Sequence, residues 1–246
     1  MSKKSLAFLP IALLLAQPVW AHVIVGELEK MSVGSAAILY LKLGYQHIIP
    51  LGFDHILFVL SLFLLNPRLK PVLWQATAFT VAHSVTLGLA MYHVIKPPAM
   101  IVEPLIALSI LYVALENIFS ANSKTVDAGT QQTRTGAKPS KVGINPSGVG
   151  VKPARVGIVF LFGLVHGMGF ASALGQLGLP QKSYLLSLVM FNAGVELGQI
   201  TIILLAFLLV GKWFRDKPWY RSRIVIPISV AIALVAACWT VQRLIV

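Results

Sequence analysis

The sequence predicts an all-α fold, a polytopic membrane helix bundle with about six transmembrane helices after a cleaved signal peptide. Composition is the first reason. Of 246 residues, 57% are hydrophobic and only 11% charged, against about 45–50% and about 25% in soluble domains. So few charges cannot cover a soluble protein of this length. The second reason is a series of apolar runs, each near the ~20 residues that cross about 30 Å of hydrocarbon. The third is the amino terminus, which has the layout of a secretory signal.

The elements follow in chain order. Residues 1–21 read as the signal peptide: Lys3 and Lys4 give the positive start, Leu6 to Gln17 the short apolar stretch, and Val19-Trp20-Ala21 the cleavage site. Cleavage there makes His22 the mature N-terminus, where an α-amino group beside an imidazole can chelate a metal ion; the plainer reading of His22 is the start of a tail. Residues 22–246 form a single transmembrane domain. Val33 to Ile49 is apolar but holds Lys42, Tyr45, Gln46 and His47 and is interrupted by Gly44 and Pro50, which suits an interfacial or re-entrant helix. The six spans are predicted at residues 51–65, 72–92, 99–119, 156–177, 184–210 and 224–241. Between the third and fourth, residues 120–154 are rich in Ser, Thr, Gly, Lys and Pro, the composition of a flexible cytoplasmic loop. It separates two sets of three spans, between which the sequence shows no convincing repeat.

Charge sets the expected orientation. With the mature N-terminus outside, thirteen Lys and Arg fall in inner segments and five in outer ones. That asymmetry predicts a bacterial inner membrane protein with both mature termini periplasmic. It also accounts for the net charge of +12 without a nucleic-acid partner. The single cysteine, Cys238, excludes an internal disulfide and a cysteine-based metal site.

An ionisable group inside a bilayer costs at least ~2.5 kcal/mol on insertion scales, so each one is informative. Asp54 and His55 lie about one turn into the first span, with His47 just before them across Pro50. Helical geometry continued through Pro50 would put His47 and Asp54 on one face. Asp54 beside His55 suits two ligands, or one ligand and an orienting carboxylate. His83 lies near the middle of the second span, next to Ser84 and one turn after Thr80. Glu103 lies one turn into the third span. His166 lies mid-span in Gly163-Leu-Val-His166-Gly-Met-Gly169. Asn192, Glu196 and Gln199 share a face of the fifth span. Glu116 stands apart, near the cytoplasmic end of the third.

Plainer readings exist for single residues. A membrane histidine can be a satisfied interhelical hydrogen-bonder. Ser84 and Thr80 suit bonds to their own helix backbone. The glycines around His166 suit close helix packing, and they form no phosphate loop, since the Lys-Ser/Thr ending is missing. Glu116 suits an ion pair with a cytoplasmic Lys or Arg, and His93 an interfacial position. Taken together, three membrane histidines and three carboxylates on five spans point to a divalent transition metal: imidazole with carboxylate suits nickel, cobalt, zinc, iron or copper.

At these residues the chain resembles the HupE/UreJ family of hydrogenase and urease accessory membrane proteins, assigned as nickel or cobalt permeases. The resemblance is carried, in order, by His47-Ile-Ile-Pro-Leu-Gly-Phe-Asp54-His55-Ile-Leu-Phe, Ala82-His83-Ser84-Val-Thr-Leu, Glu103-Pro-Leu-Ile-Ala-Leu-Ser, Gly163-Leu-Val-His166-Gly-Met-Gly-Phe-Ala and Phe191-Asn192-Ala-Gly-Val-Glu196-Leu-Gly-Gln199. It implies metal handling, with His47, Asp54 and His55 as a recognition element and, more loosely, Glu103 and Glu116. Here six residues separate His47 from Asp54, where the family has five.

The expected function is therefore transport of a divalent, nickel- or cobalt-like metal ion as substrate. Its site would be His47, Asp54, His55, His83, Glu103, His166 and Glu196, assisted by His22, Ser84, Asn192 and Glu116. Two alternatives stay open. One is an intramembrane hydrolase, in which a zinc-type ion on His55, His83 and His166 activates water. The other is an assembly factor for metalloenzyme maturation partners.

Overall fold

The computed structural model describes residues 31–96, 98–130, 153–177 and 183–245. The predicted signal peptide and His22 lie outside the described residues, as do residues 131–152 of the predicted loop. Among the described residues the secondary structure is helical throughout, without strands.

The helix α1 (Val33–Ile48) begins at Ser32, whose side chain accepts a hydrogen bond from the Ser35 amide at 3.1 Å. It ends before Pro50, which has no N–H to donate and pushes the preceding residue into extended backbone; Ile49 sits at φ −122°, ψ 113°. Helix α2 (Phe53–Leu65) restarts after Gly52. The two axes are bent by 68°. Then come α3 (Leu69–Met91), α4 (Ala99–Thr130), α5 (Pro153–Leu177), α6 (Tyr184–Phe214) and α7 (Arg221–Ile245). Helix α4 is apolar as far as Phe119 and its backbone stays helical to Thr130.

Four of these helices are long and apolar enough to cross a membrane: Ala99–Phe119, Pro153–Ala171, Tyr184–Phe214 and Arg221–Ile245. The predicted first span changes character. At 13 residues, α2 is only about 20 Å long and passes the same test only jointly with α1. Contacts with α6 show how the pair runs. Gly44 lies against Phe191, Ile48 against Gly198, and Phe63 against Gly211. The chain thus advances along α6 through the break and does not turn back, so α1 and α2 form one discontinuous rod. Helix α3 has 23 residues, roughly 34 Å, but Gln75, Thr77, Thr80, His83, Ser84 and Thr86 dilute its apolarity. Most of these residues face α5 and α6, not lipid.

Neighbouring contacts fix alternating directions. Tyr184 donates to the Met91 carbonyl (2.7 Å) and His83 meets Asn192, so α3 and α6 are antiparallel. Arg155 reaches Gln75 and Leu164 accepts from Thr86, so α3 and α5 are parallel. Glu116 pairs with Arg155 while Gly169 meets Ile106, so α4 and α5 are antiparallel. Arg243 donates to the Glu103 carbonyl and Asn117 to Ser229, so α4 and α7 are antiparallel. These directions gather Arg68, Lys70, Arg155, Lys212, Arg215 and Arg223 at one end. There Lys212 and Arg223 lie over the rings of Trp213 and Trp219, a mixed aromatic and cationic girdle of the kind found at membrane interfaces.

Two apolar cores fill the interior. One, toward the basic end, is built on Phe58, Phe63, Phe79, Ile110 and Ile203; the other on Tyr40, Ile48, Leu87, Leu174 and Phe191. Leu161, Leu185, Leu209, Leu234 and Leu244 stay exposed on the outside, as lipid-facing side chains do.

Candidate metal site

The boundary between the two cores is a layer of histidines. Along α3 the order is Phe79, His83, Leu87, and along α5 it is Phe162, His166, Phe170, each one turn apart. His47 closes the last turn of α1 and His55 the first turn of α2, so the break brings both to the same level. Ring centroids lie 4.8 Å apart for His47 and His55, 6.0 Å for His55 and His83, and 6.3 Å for His47 and His83. His166 joins at 5.1 Å from His55. One nitrogen from each of His47, His55 and His83 lies within 4.8 Å of the other two. Opposed ligands of one ion stand about 4.2 Å apart at ~2.1 Å bonds, so small ring movements complete a shared site.

Hydrogen bonds fix which nitrogen faces the layer. His55 Nδ1 donates to Asp54 Oδ1 at 3.0 Å. His83 Nδ1 donates to Asn192 Oδ1 at 3.1 Å, and Asn192 is held in that sense because its Nδ2 donates to the Leu188 carbonyl. His166 Nδ1 donates to the Phe162 carbonyl at 2.9 Å. All three partners are acceptors, so each Nδ1 carries the hydrogen and each neutral ring presents a lone pair at Nε2. The Nε2 atoms of His47, His55, His83 and His166 are buried and meet no hydrogen-bond partner among the described residues. Leaving a buried polar atom unpaired costs about 1–3 kcal/mol. A shared cation could repay several such lone pairs brought to one layer. Oriented imidazole held by carboxylate, amide or backbone oxygen is the arrangement of histidine metal ligands.

The other predicted residues distribute as follows. Asp54 Oδ1 accepts from the His55 amide (2.9 Å) as well as its ring, which makes it an orienting group in this geometry. Glu196 stands outside the three-histidine group: its Oε1 accepts from Thr77 at 2.6 Å, while its Oε2 is buried without a partner among the described residues. Gln199, fully buried, accepts from Thr80 at 3.2 Å. Asn192, Glu196 and Gln199 thus form a polar seam with His83, Thr80 and Thr77 of α3. The structure does not bring Glu103 into the layer. Its side chain is exposed on α4. Ser84 bonds the Thr80 carbonyl of its own helix at 2.7 Å. Glu116 pairs with Arg155 at 2.9 Å, and Arg155 also donates to Gln75. His93 is exposed at the end of α3, at φ 57°.

Sequence reasoning did not find the aromatic walls of the layer or Thr77. Phe170 packs on His47 at 3.8 Å between centroids, and Phe79 on His166 at 4.9 Å. Apolar rings exclude water and strengthen any charge interaction inside. Thr77 carried a signal, being one turn before Thr80 on the same face. The glycines near His166 serve packing: Gly163 lies on the Phe79 backbone and Gly167 on His83 and Thr86.

No curated protein and no solved structure matches the chain. The family model described as HupE / UreJ protein matches residues 25–243. With nearly the whole length matched, the chain belongs to the HupE/UreJ family.

Proposed function

We propose that this protein moves a divalent transition metal ion across the membrane, using the histidine layer as its binding site. The observation that carries this reading is the helix break: His47 and His55 stand on either side of it, facing His83. Discontinuous helices inside a bundle are where transporters bind ions, because backbone that is not helical is tolerated only where it lines a cavity. His47, His55 and His83 are the ligands, His166 is adjacent, and Asp54 and Asn192 orient the rings. Glu196 continues the polar seam toward the basic end, and Glu116 with Arg155 marks that end. With α3 counted, the bundle crosses six times, and the basic end faces the cytoplasm of a bacterial inner membrane. Family membership favours nickel or cobalt as the substrate. Inward movement gains about 2.3 kcal/mol per charge per 100 mV of potential.

The test is metal binding by purified protein, read by calorimetry with Ni²⁺ and Co²⁺. One site per chain is expected in the native protein and none in His55→Ala or His83→Ala. Unchanged binding in both variants rules the site out.

A further inference from the structure

The two halves of the bundle make the same contacts. In the first half, Gly44 of α1 lies on the backbone of Phe191 and against Gly194 of α6, and Ile48 lies on Gly198. In the second half, Gly163 of α5 lies on the backbone of Phe79 and against Ala82 of α3, and Gly167 lies on Thr86. A shift of 119 residues carries Gly44 onto Gly163, His47 onto His166 and Ile48 onto Gly167. A shift of 112 carries Phe79 onto Phe191, Ala82 onto Gly194 and Thr86 onto Gly198. Every contact of one set thereby becomes a contact of the other. The third helices agree: α4 carries Ile101-Val102-Glu103-Pro104 near its start, α7 carries Ile224-Val225-Ile226-Pro227, and the two pack on each other. Since α1 runs with α6, α6 against α3, and α3 with α5, the helices α1 and α5 point in opposite directions. The repeat is therefore inverted about an axis in the membrane plane.

The halves differ at one place. After His47 the chain breaks over Ile49 to Gly52; after His166 the counterpart, Met168 to Ala171, stays helical. Gly169 stands where the first half has Pro50. Glycine costs about 1 kcal/mol relative to alanine in a helix, and Gly167 and Gly169 put two together. His166 is 1% exposed and its Nε2 is unpartnered among the described residues, so it is poised to act as a ligand without being one of the three that meet here. His55 and Asp54 have no counterparts, since Leu174 and Ala173 occupy those positions.

We propose that the chain is an inverted repeat with two conformations related by exchanging the shapes of its halves. In the second, α5 bends at Met168 to Ala171, the α1–α2 rod straightens, and His166 takes the place of His47 beside the ion. The binding layer then faces the opposite side of the membrane. The proposal rests on the transport reading for its purpose, but the exchange of shapes can be measured without metal.

The experiment is amide hydrogen exchange on the whole protein in nanodiscs, metal-free, comparing native protein with Pro50→Ala. Pro50 is exposed, so its replacement leaves the packing intact while favouring a continuous α1–α2. The amides of residues 169–174 are expected to exchange faster than those of residues 158–162 in the same helix. They should speed up by about tenfold more in Pro50→Ala, because both breaks belong to one equilibrium. The converse variant, Gly169→Ala, should slow them. Exchange at 169–174 that is unaffected by Pro50→Ala overturns the proposal, since it makes the glycine segment an independent fraying site. Coupled exchange in a protein that binds no Ni²⁺ or Co²⁺ supports the repeat and removes the transport reading alone.

Discussion

Two polar clusters sit in this bundle, and they spend their polar atoms differently. At the basic end, Glu116, Arg155 and Gln75 turn toward one another: Arg155 donates to both partners and Gln75 donates back to the Pro71 carbonyl at 3.0 Å. In the histidine layer, each Nδ1 that is tied goes outward to an orienting oxygen and the Nε2 atoms converge unpaired. The first arrangement tethers three helices. The second leaves buried lone pairs unpaired at a cost to stability, as functional sites do. Removing side chains should therefore cost metal binding in the layer, and stability alone at the basic end.

The largest effect is expected in the layer. Replacing His83 by Ala should abolish Ni²⁺ and Co²⁺ binding in equilibrium dialysis. Because the ring is fully buried and its Nδ1 donates to Asn192, the variant should also lose about 1–3 kcal/mol of stability, and helical circular dichroism checks that it folds. Next come the orienting groups. Asp54→Asn and Asn192→Ala should each weaken metal affinity by about 10–100-fold, with the helical circular dichroism of the native protein. Binding should also weaken as pH falls in every form that binds, since protons and the ion compete for the same imidazole lone pairs; a pH titration of affinity reads this directly.

At the basic end only stability should suffer. Arg155→Met leaves Glu116 half-buried and unpaired, and should cost about 1–3 kcal/mol, between an exposed and a buried ion pair. Denaturation in detergent measures it, and metal affinity should hold. The smallest effect is expected at Ser84→Ala, within about 0.5 kcal/mol, because that hydroxyl bonds only its own helix. A large loss of metal binding in Ser84→Ala or Glu103→Gln would blur the contrast between the clusters.

Much of this was legible in the sequence because the bilayer penalises ionisable groups so heavily. That rule singles out His55, His83 and His166, with His47 only as their neighbour across Pro50, and Glu116 and Ser84 make contacts of the plainer kind open to them. What was not legible depended on direction and facing. Glu103 has the right chemistry on a face of α4 that points away from the layer. A 13-residue apolar run looks like a short span until the bend at Pro50 joins it to α1, and that same bend, not helical periodicity, brings His47 and His55 to one level. The low apolarity of α3 reflects the polar seam it carries. The proposed inverted repeat is faint in the sequence because only a Gly-x-x-His, an Ile-Val-x-Pro and a few packing positions persist in a background of Leu, Val and Ile. Helix packing tolerates those exchanges freely, so the pairing shows only when contacts are compared.

The central claim is that the histidine layer carries the ion across. The most direct test is Ni²⁺ or Co²⁺ flux into sealed proteoliposomes holding native protein or His83→Ala at equal density. Saturable flux in the native protein, and flux at the level of protein-free liposomes in His83→Ala, is the predicted result. Equal flux through both would contradict it.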